Sequence, residues 1–188
     1  MVGQAFLSLA TAFGLSTSAG LNAYIPLLVV ALLARFTSLV TLNDPWGALS
    51  SWWVIGTLAV LLVVEILVDK VPAADTVNDV IQTFIRPAAG AILFATTTNT
   101  VGLHPVLAAI CGVIVAGGVH AIKAGGRPVV TAATAGVGNP IVSTIEDVVS
   151  FITSLLAIVA PYLVAALIVI ALALFTWWYV RHRRQRAH

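Results

Sequence analysis

Apolar runs too long for a soluble core recur along this chain, and they constrain it more than any other feature. Segments 54–67 and 162–175 contain one charged residue between them, Glu65. Only 9% of the 188 residues are charged, against about a quarter in soluble domains, and the mean hydropathy is +1.07. Lipid is therefore the solvent this sequence is written for. In lipid every backbone N–H and C=O must be satisfied internally, which leaves helices and closed barrels. Barrel strands alternate apolar and polar residues, and these runs do not. The expected fold is an all-α integral membrane protein.

A helix needs about 20 apolar residues to cross the hydrocarbon core. That length marks six segments: 2–33, 51–69, 80–96, 106–124, 128–158 and 161–180. They form a single transmembrane domain, 1–180, followed by a basic tail, 181–188. The first and fifth are too long for one simple crossing, and each carries the same kind of interruption. "STSAGLNAYIP" starts at Ser16 and "TAGVGNPIV" at Thr134; in both, a hydroxyl and Ala-Gly precede Asn and Pro. Two broken or re-entrant segments, around 16–26 and 131–140, are the expectation. Asn139 suits an N-cap, Pro140 a first helical position, and Gly136 and Gly138 the unusual backbone angles upstream.

Orientation follows from "RHRRQR" at the end of the chain, since arginines beside a last span stay cytoplasmic. The tail is a topology anchor and a contact for anionic lipid, not a nucleic-acid site. Trp46, Trp52, Trp53, Trp177 and Trp178 fall near expected span ends, as interfacial aromatic belts require. The N-terminus lacks the basic region of a secretory signal and reads as mature structure. The lone Cys111 has no internal disulfide partner and reads as a small packing residue.

Outside the tail's four arginines, seven acids face five bases. Glu65/Asp69 and Asp75/Asp79 are spaced i,i+4, so each pair shares a helix face. Glu146 and Asp147 lie just beyond the second interruption, and His120, Lys123 and Arg127 gather at the end of the fourth span. Charge at the bilayer centre costs at least about 2.5–3.5 kcal/mol, so such groups pair or face a wet cavity. "DTVNDV" and "STIEDV" both fit a helix-capping pattern, with Thr76 and Thr144 as caps. Gly112, Gly117 and Gly118 offer a small-residue packing face suited to a homo-oligomer.

A helix that starts inside the membrane must bury its unpaired ends in protein or against a wet cavity, as at the midplane sites of secondary transporters. The leading reading is a permease for a small anionic solute or a lipid headgroup. Ser18, Gly20, Asn22, Thr134, Gly136, Gly138 and Asn139 would line its substrate site. Glu65, Asp69, Asp79, His120, Glu146 and Asp147 would couple transport to H⁺ or Na⁺, and Lys123 and Arg127 would balance an anion. No cofactor is called for. A membrane-embedded enzyme acting on a lipid or isoprenoid phosphate is the alternative, with acidic pairs holding Mg²⁺, though no metal or nucleophile motif is present. A structural or lipid-scrambling protein is the third reading.

"GLSTSAGLNAYIPLL", "VDKVPAADTVNDVIQTFIRP" and "HAIKAGGRPVVTAATAGVGNPIVSTIED" resemble a small bacterial membrane family catalogued as domain of unknown function 4126, over nearly the whole chain. The resemblance implies a bacterial inner-membrane protein and supplies no substrate. The broken-helix pattern is also similar, by fold analogy alone, to re-entrant-loop lipid transporters.

Overall fold

The computed structural model describes the backbone of residues 2–69 and 72–161 and short stretches as far as 181. Within these, side chains are described except at positions 2, 72–77, 79 and 100. Most of the expected span 161–180, and all of the tail beyond 181, lie outside the described residues. The described part forms helices joined by turns and one longer loop, 37–45, with no strand. It comprises α1 (Val2–Leu21), α2 (Tyr24–Phe36), α3 (Trp52–Val68), α4 (Pro72–Thr98), α5 (Pro105–Thr134) and α6 (Asn139–Val159), with short 3-10 turns at Trp46–Ser50 and Asn99–Val101.

The distribution of side chains is that of a protein dissolved in lipid. Val60, Val63, Val64 and Leu67 of α3, Ile110, Ile114 and Ile122 of α5, and Ile141, Ile145 and Phe151 of α6 are exposed. Inside lie Ser16, Ser18, Asn22, Glu65, Arg86, His120, Ser150 and Ser154. A soluble monomer rarely exposes apolar surface on that scale. Among the described residues three helical stretches are long and apolar enough to cross a membrane: Val80–Thr98 within α4, α5 and α6. At 13 residues α2 is about 20 Å long, short of the roughly 30 Å hydrocarbon core.

α1 is the hub, touching α2, α4, α5 and α6. Its direction relative to each neighbour follows from paired contacts. Ser16 bonds Gly90 and Phe13 stacks edge-on against Phe94, so α4 runs antiparallel to it. Thr11 reaches Ala157 while Asn22 reaches Asp147, so α6 is antiparallel as well. Gly20 abuts Ala116, and Lys123 bonds the Leu21 carbonyl, so α5 runs alongside in the same sense. α2 turns back at Asn22 and Ala23: a shared cleft brings Val30 beside Leu15, and Val40 and Thr41 beside Leu7, Ser8 and Thr11.

Between helices in lipid there is no hydrophobic drive, so packing relies on small residues that let backbones approach. The core beside α1 is built that way, from Ala19, Ala23, Ala89, Ala116 and Ala157 around Leu15, Leu27 and Leu93. The tightest approach is between α4 and α5. A Cβ on Gly112 would stand 2.2 Å from the Gly90 carbonyl oxygen, and one on Gly90 2.4 Å from the Ala116 Cβ. Gly112 thus serves the fold internally, which corrects its assignment to a face for self-association, whereas Gly118 has open space before it.

Several expected boundaries are corrected. α5 continues unbroken through Gly125, Gly126 and Pro128, and the Arg127 side chain in that turn lies 3.7 Å from Asp69 and 3.9 Å from Glu146. The 131–140 interruption is consequently the turn between two helices and not a break within one span. Ala135 and Gly136 take left-handed angles, with φ of 50° and 84°. The Gly136 N–H reaches back to the Thr131 carbonyl, closing α5 in a Schellman-type end. Gly138 does not use its freedom, with φ of −75°; a Cβ there would stand 2.8 Å from Thr134 Oγ1. Nor does Thr144 cap a helix: α6 begins earlier, at Asn139, and the Thr144 hydroxyl donates to the Pro140 carbonyl. Thr76 lies inside α4, and its side chain is outside the described set.

Replacing Gly112 by Val should therefore lower thermal stability of the detergent-purified protein by about 1–3 kcal/mol. Gly118→Val should leave it within about 0.5 kcal/mol. Equal melting temperatures for the two variants would refute the close approach of α4 and α5.

Candidate functional site

The reversal between α1 and α2 leaves helix-end carbonyls and N–H groups exposed to each other in the protein interior. Asn22 resolves the second set: its Oδ1 accepts from the N–H groups of Tyr24 and Ile25, at 3.0 and 3.1 Å. Lys123 resolves part of the first by donating to the Leu21 carbonyl at 3.0 Å. A cation at a helix C-terminus also opposes the negative end of its dipole. The Asn22 amide then donates to Asp147 Oδ1 at 2.9 Å. The first Asn of the sequence pattern is thus a helix cap held on α6 by a carboxylate.

Around this reversal the bundle gathers its charge. Glu65 of α3 is bound by Arg86 of α4 at 3.0 Å, with both side chains almost wholly buried. Arg86 also meets His120 Nδ1 of α5 at 3.0 Å, and His120 Nε2 meets Thr83 Oγ1 at 3.0 Å. Lys123 pairs with Glu146 of α6 at 2.8 Å. Arg127 lies 3.7 Å from Asp69 and 3.9 Å from Glu146. Asp69 is further held by Asn78 at 2.7 Å and Ser143 at 2.6 Å. The result is an ionic layer of two neighbouring groups, Glu65–Arg86–His120 and Asp69–Arg127–Glu146–Lys123, carried by α3, α4, α5 and α6, with α1 and α2 turning beside it.

Among the buried polar atoms of this layer that find no hydrogen-bond partner among the described residues are Glu65 Oε2, Arg86 Nε and Gln82 Oε1. Buried polar atoms are ordinarily paired, so such exceptions call for an explanation. They lie close together, since Glu65 contacts Arg86 directly and Gln82 stands one helical turn before Arg86 on α4. Two cations of the layer directly precede a proline inside a helix, Arg86-Pro87 in α4 and Arg127-Pro128 in α5. A proline has no N–H, so the carbonyls of Thr83 and Ala124 lose their usual helical donors at those points.

The residues singled out from the sequence are distributed unequally over this geometry. Glu65, Asp69, His120, Lys123, Arg127 and Glu146 are brought together, and Asp147 joins their margin through Asn22. The Asp79 side chain lies outside the described residues. Ser18 is buried against Ser150 and Ser154, each at 2.7 Å, in a hydroxyl seam between α1 and α6. Gly20 is a contact point with α5. Thr134, Gly136, Gly138 and Asn139 form the α5–α6 turn, where the Asn139 amide bonds Thr131. Asn139 precedes Asp147 by about 12 Å along α6, so the two Asn-containing stretches occupy different levels of the bundle.

Arg86 was absent from the sequence-derived site and is its central cation. The signal was available: a lone arginine inside an otherwise apolar expected span, 80–96. Gln82, Asn78 and Ser143 carry no such signal, being ordinary polar residues until the helices meet. Among the described residues no three His, Cys, Asp or Glu side chains are arranged to hold a metal ion.

No curated protein and no solved structure matches the chain. The family model described as Domain of unknown function (DUF4126) matches residues 9–181, and the chain, a helical membrane protein with a buried ionic layer, belongs to that family.

Proposed function

We propose that this protein is a membrane permease for a small anionic solute or an anionic lipid headgroup. Arg86, Lys123 and Arg127 supply the positive field, and Glu65, Asp69, Glu146 and Asp147 couple movement to H⁺ or Na⁺. The observation that carries this reading is the group of unpartnered polar atoms on Glu65, Gln82 and Arg86, buried in an apolar bundle. Ionisable groups inside transmembrane segments are rare and mark substrate or ion pathways. An anion entering beside Arg86 would exchange with Glu65 for the guanidinium, and the displaced carboxylate would then take up a proton or a sodium ion. The two Arg-Pro steps supply places where α4 and α5 can flex next to the charges. In this reading the protein resides in a bacterial cytoplasmic membrane with the 181–188 tail on the cytoplasmic side, as the arginines there favour.

A purely structural reading has one specific observation behind it, namely that Lys123 and Asn22 satisfy the helix ends of the α1–α2 reversal. The two readings separate on a double replacement. Lys123→Gln alone leaves the part-buried Glu146 carboxylate with only the longer Arg127 contact and should destabilise by about 1–3 kcal/mol. Lys123→Gln with Glu146→Gln removes both charges and should recover most of that loss in thermal unfolding. If the layer transports, the double variant stays inactive although stable; recovered flux would sink its role in transport.

Flux into proteoliposomes under imposed pH or sodium gradients tests the proposal directly. Arg86→Gln should slow anion uptake by at least about tenfold, the equivalent of one lost charge-assisted hydrogen bond. A broad panel of anions and labelled lipids that shows no gradient-dependent movement with the unaltered protein would overturn the permease reading.

A further inference from the structure

One guanidinium bridges an acid and a histidine in the interior of the bundle. Arg86 Nη2 donates to Glu65 Oε1 and Arg86 Nη1 meets His120 Nδ1, each at 3.0 Å. A guanidinium has donors and no acceptor, so Nδ1 must be the acceptor and carry no proton. The ring then holds its one proton on Nε2, which faces Thr83 Oγ1 at 3.0 Å. These two contacts fix both the charge and the tautomer of a side chain that is 4% exposed. The imidazolium and the Nδ1–H tautomer would each set an N–H against an N–H of Arg86.

Charge reaches the ring from few directions. The helices packed on α5 are α4, α1 and α6. α4 brings Arg86, while the side chains of its Asp75 and Asp79 lie outside the described residues. α1 carries no titratable side chain. α6 brings Glu146, which Lys123 of α5 holds at 2.8 Å, and Asp147, which accepts from Asn22. Arg127, two turns farther along α5, lies against Asp69 and Glu146. Glu65 of α3 shares the Arg86 guanidinium with the ring, so Arg86 is the cation that keeps a proton off Nδ1.

We propose that the coupling ion is a proton and that His120 Nδ1 carries it. The inference rests on the permease reading for its anion. When an anion draws Arg86 away, Glu65 loses its counter-ion and Nδ1 loses its donor in the same movement. One proton taken from water onto Nδ1 answers both losses. The imidazolium is a cation beside the displaced Glu65 carboxylate, and its new N–H faces the space the guanidinium left. Its Nε2–H stays on Thr83 in either state, so the ring need not turn. A monoanion and one proton enter together, and the buried layer keeps its net charge. A sodium ion could balance the charge but would leave Nδ1 a buried acceptor without a donor. The guest chemistry common to a solute and a lipid headgroup is a monoanionic oxyanion, which a guanidinium binds through two N–H groups.

The test uses the full chain with His104→Asn, His182→Gln and His188→Gln, labelled with nitrogen-15 histidine in phosphatidylcholine nanodiscs, so that His120 is the one labelled ring. Asn preserves the cap that His104 gives Val106. At neutral pH without anion, ring-nitrogen NMR should show a neutral imidazole with Nδ1 bare and Nε2 protonated. Dimethyl phosphate, a monoanion that does not itself titrate near neutrality, should convert the ring to imidazolium in a saturable manner, with choline in place of sodium. Phosphatidylglycerol in the nanodisc should do so instead if the guest is a lipid. A ring charged or protonated on Nδ1 before anion is added overturns the inference. So does a ring that stays neutral with both anions, or a conversion that requires sodium. In proteoliposomes His120→Gln, which can accept from Arg86 but takes no proton, should abolish proton-gradient-driven uptake of the anion that converted the ring; uptake equal to the parent's overturns the inference too. Conversion of the ring by an anion that the parent protein does not move would sink the permease reading and leave the proton–anion linkage standing.

Discussion

In a bundle dissolved in lipid, charge is tolerable only where charges neutralise one another, and the rest of this structure is arranged around that requirement. Glu65 and Arg86 illustrate it. Each would be prohibitive alone in the bundle interior, and truncating one strands the other. Their contact at 3.0 Å fixes the rotation of α3 against α4, and the His120 contact carries the constraint to α5. Lys123 and Arg127 extend it to α6 and back to α3. Four helices whose outward faces would slide freely in hydrocarbon are thereby set in rotation and depth.

The same layer explains why the chain can reverse at Asn22. A helix end inside a membrane protein needs polar partners, and the layer supplies them at that level: Lys123 for the Leu21 carbonyl, Asp147 for the Asn22 amide. Away from the layer a different interaction takes over. Between α1 and α6 the contact is a seam of hydroxyls, Ser18 with Ser150 and Ser154; between α4 and α5 it is the Gly90–Gly112 approach. Small residues and hydroxyls keep the backbones close without requiring further charge, so ionisable groups stay concentrated at one end of the bundle.

How much of this was legible follows from what each signal reports. Helical membrane architecture is written in the length of the apolar runs, which depends on the solvent and on no tertiary contact. The acids Glu65, Asp69 and Glu146 and the cations Lys123 and Arg127 stood out because a charge is rare in such a chain. Their pairing could not be read, since Glu65 meets Arg86 only once α3 and α4 are juxtaposed. The interruption at 131–140 falls where α5 ends and α6 begins, whereas the boundary expected between 124 and 128 is absent. Gly125-Gly126-Arg127-Pro128 carries stronger local stop signals than Ala135-Gly136, but Arg127 gains two carboxylate partners by remaining helical. Local stop signals did not end the helix where α3 and α6 supply contacts to that turn. Asn22 was read as a site residue, and its committed bonds to Tyr24, Ile25 and Asp147 became visible only with the fold.

The placement of the two prolines ties the static layer to motion. A proline in a helix leaves a carbonyl unbonded and loosens one turn, and in this chain each such turn carries a buried guanidinium. Pro87 rests against Gly117, where a Cβ would stand 3.6 Å from its ring, so that side of α4 meets only backbone and hydrogen. A small bend there would carry Arg86 relative to Glu65 without forcing a side-chain clash on α5. The Arg127 contacts, at 3.7 and 3.9 Å, are longer than the Arg86 and Lys123 pairs and are the ones a small displacement would break first. The α5 end of the layer is thus its softer part, and if Arg127 separated, Asp69 would keep Asn78 and Ser143 and Glu146 would keep Lys123, so neither carboxylate would be stranded. Loose contacts beside tight ones let this end of the layer shift without leaving a charge unpaired in hydrocarbon.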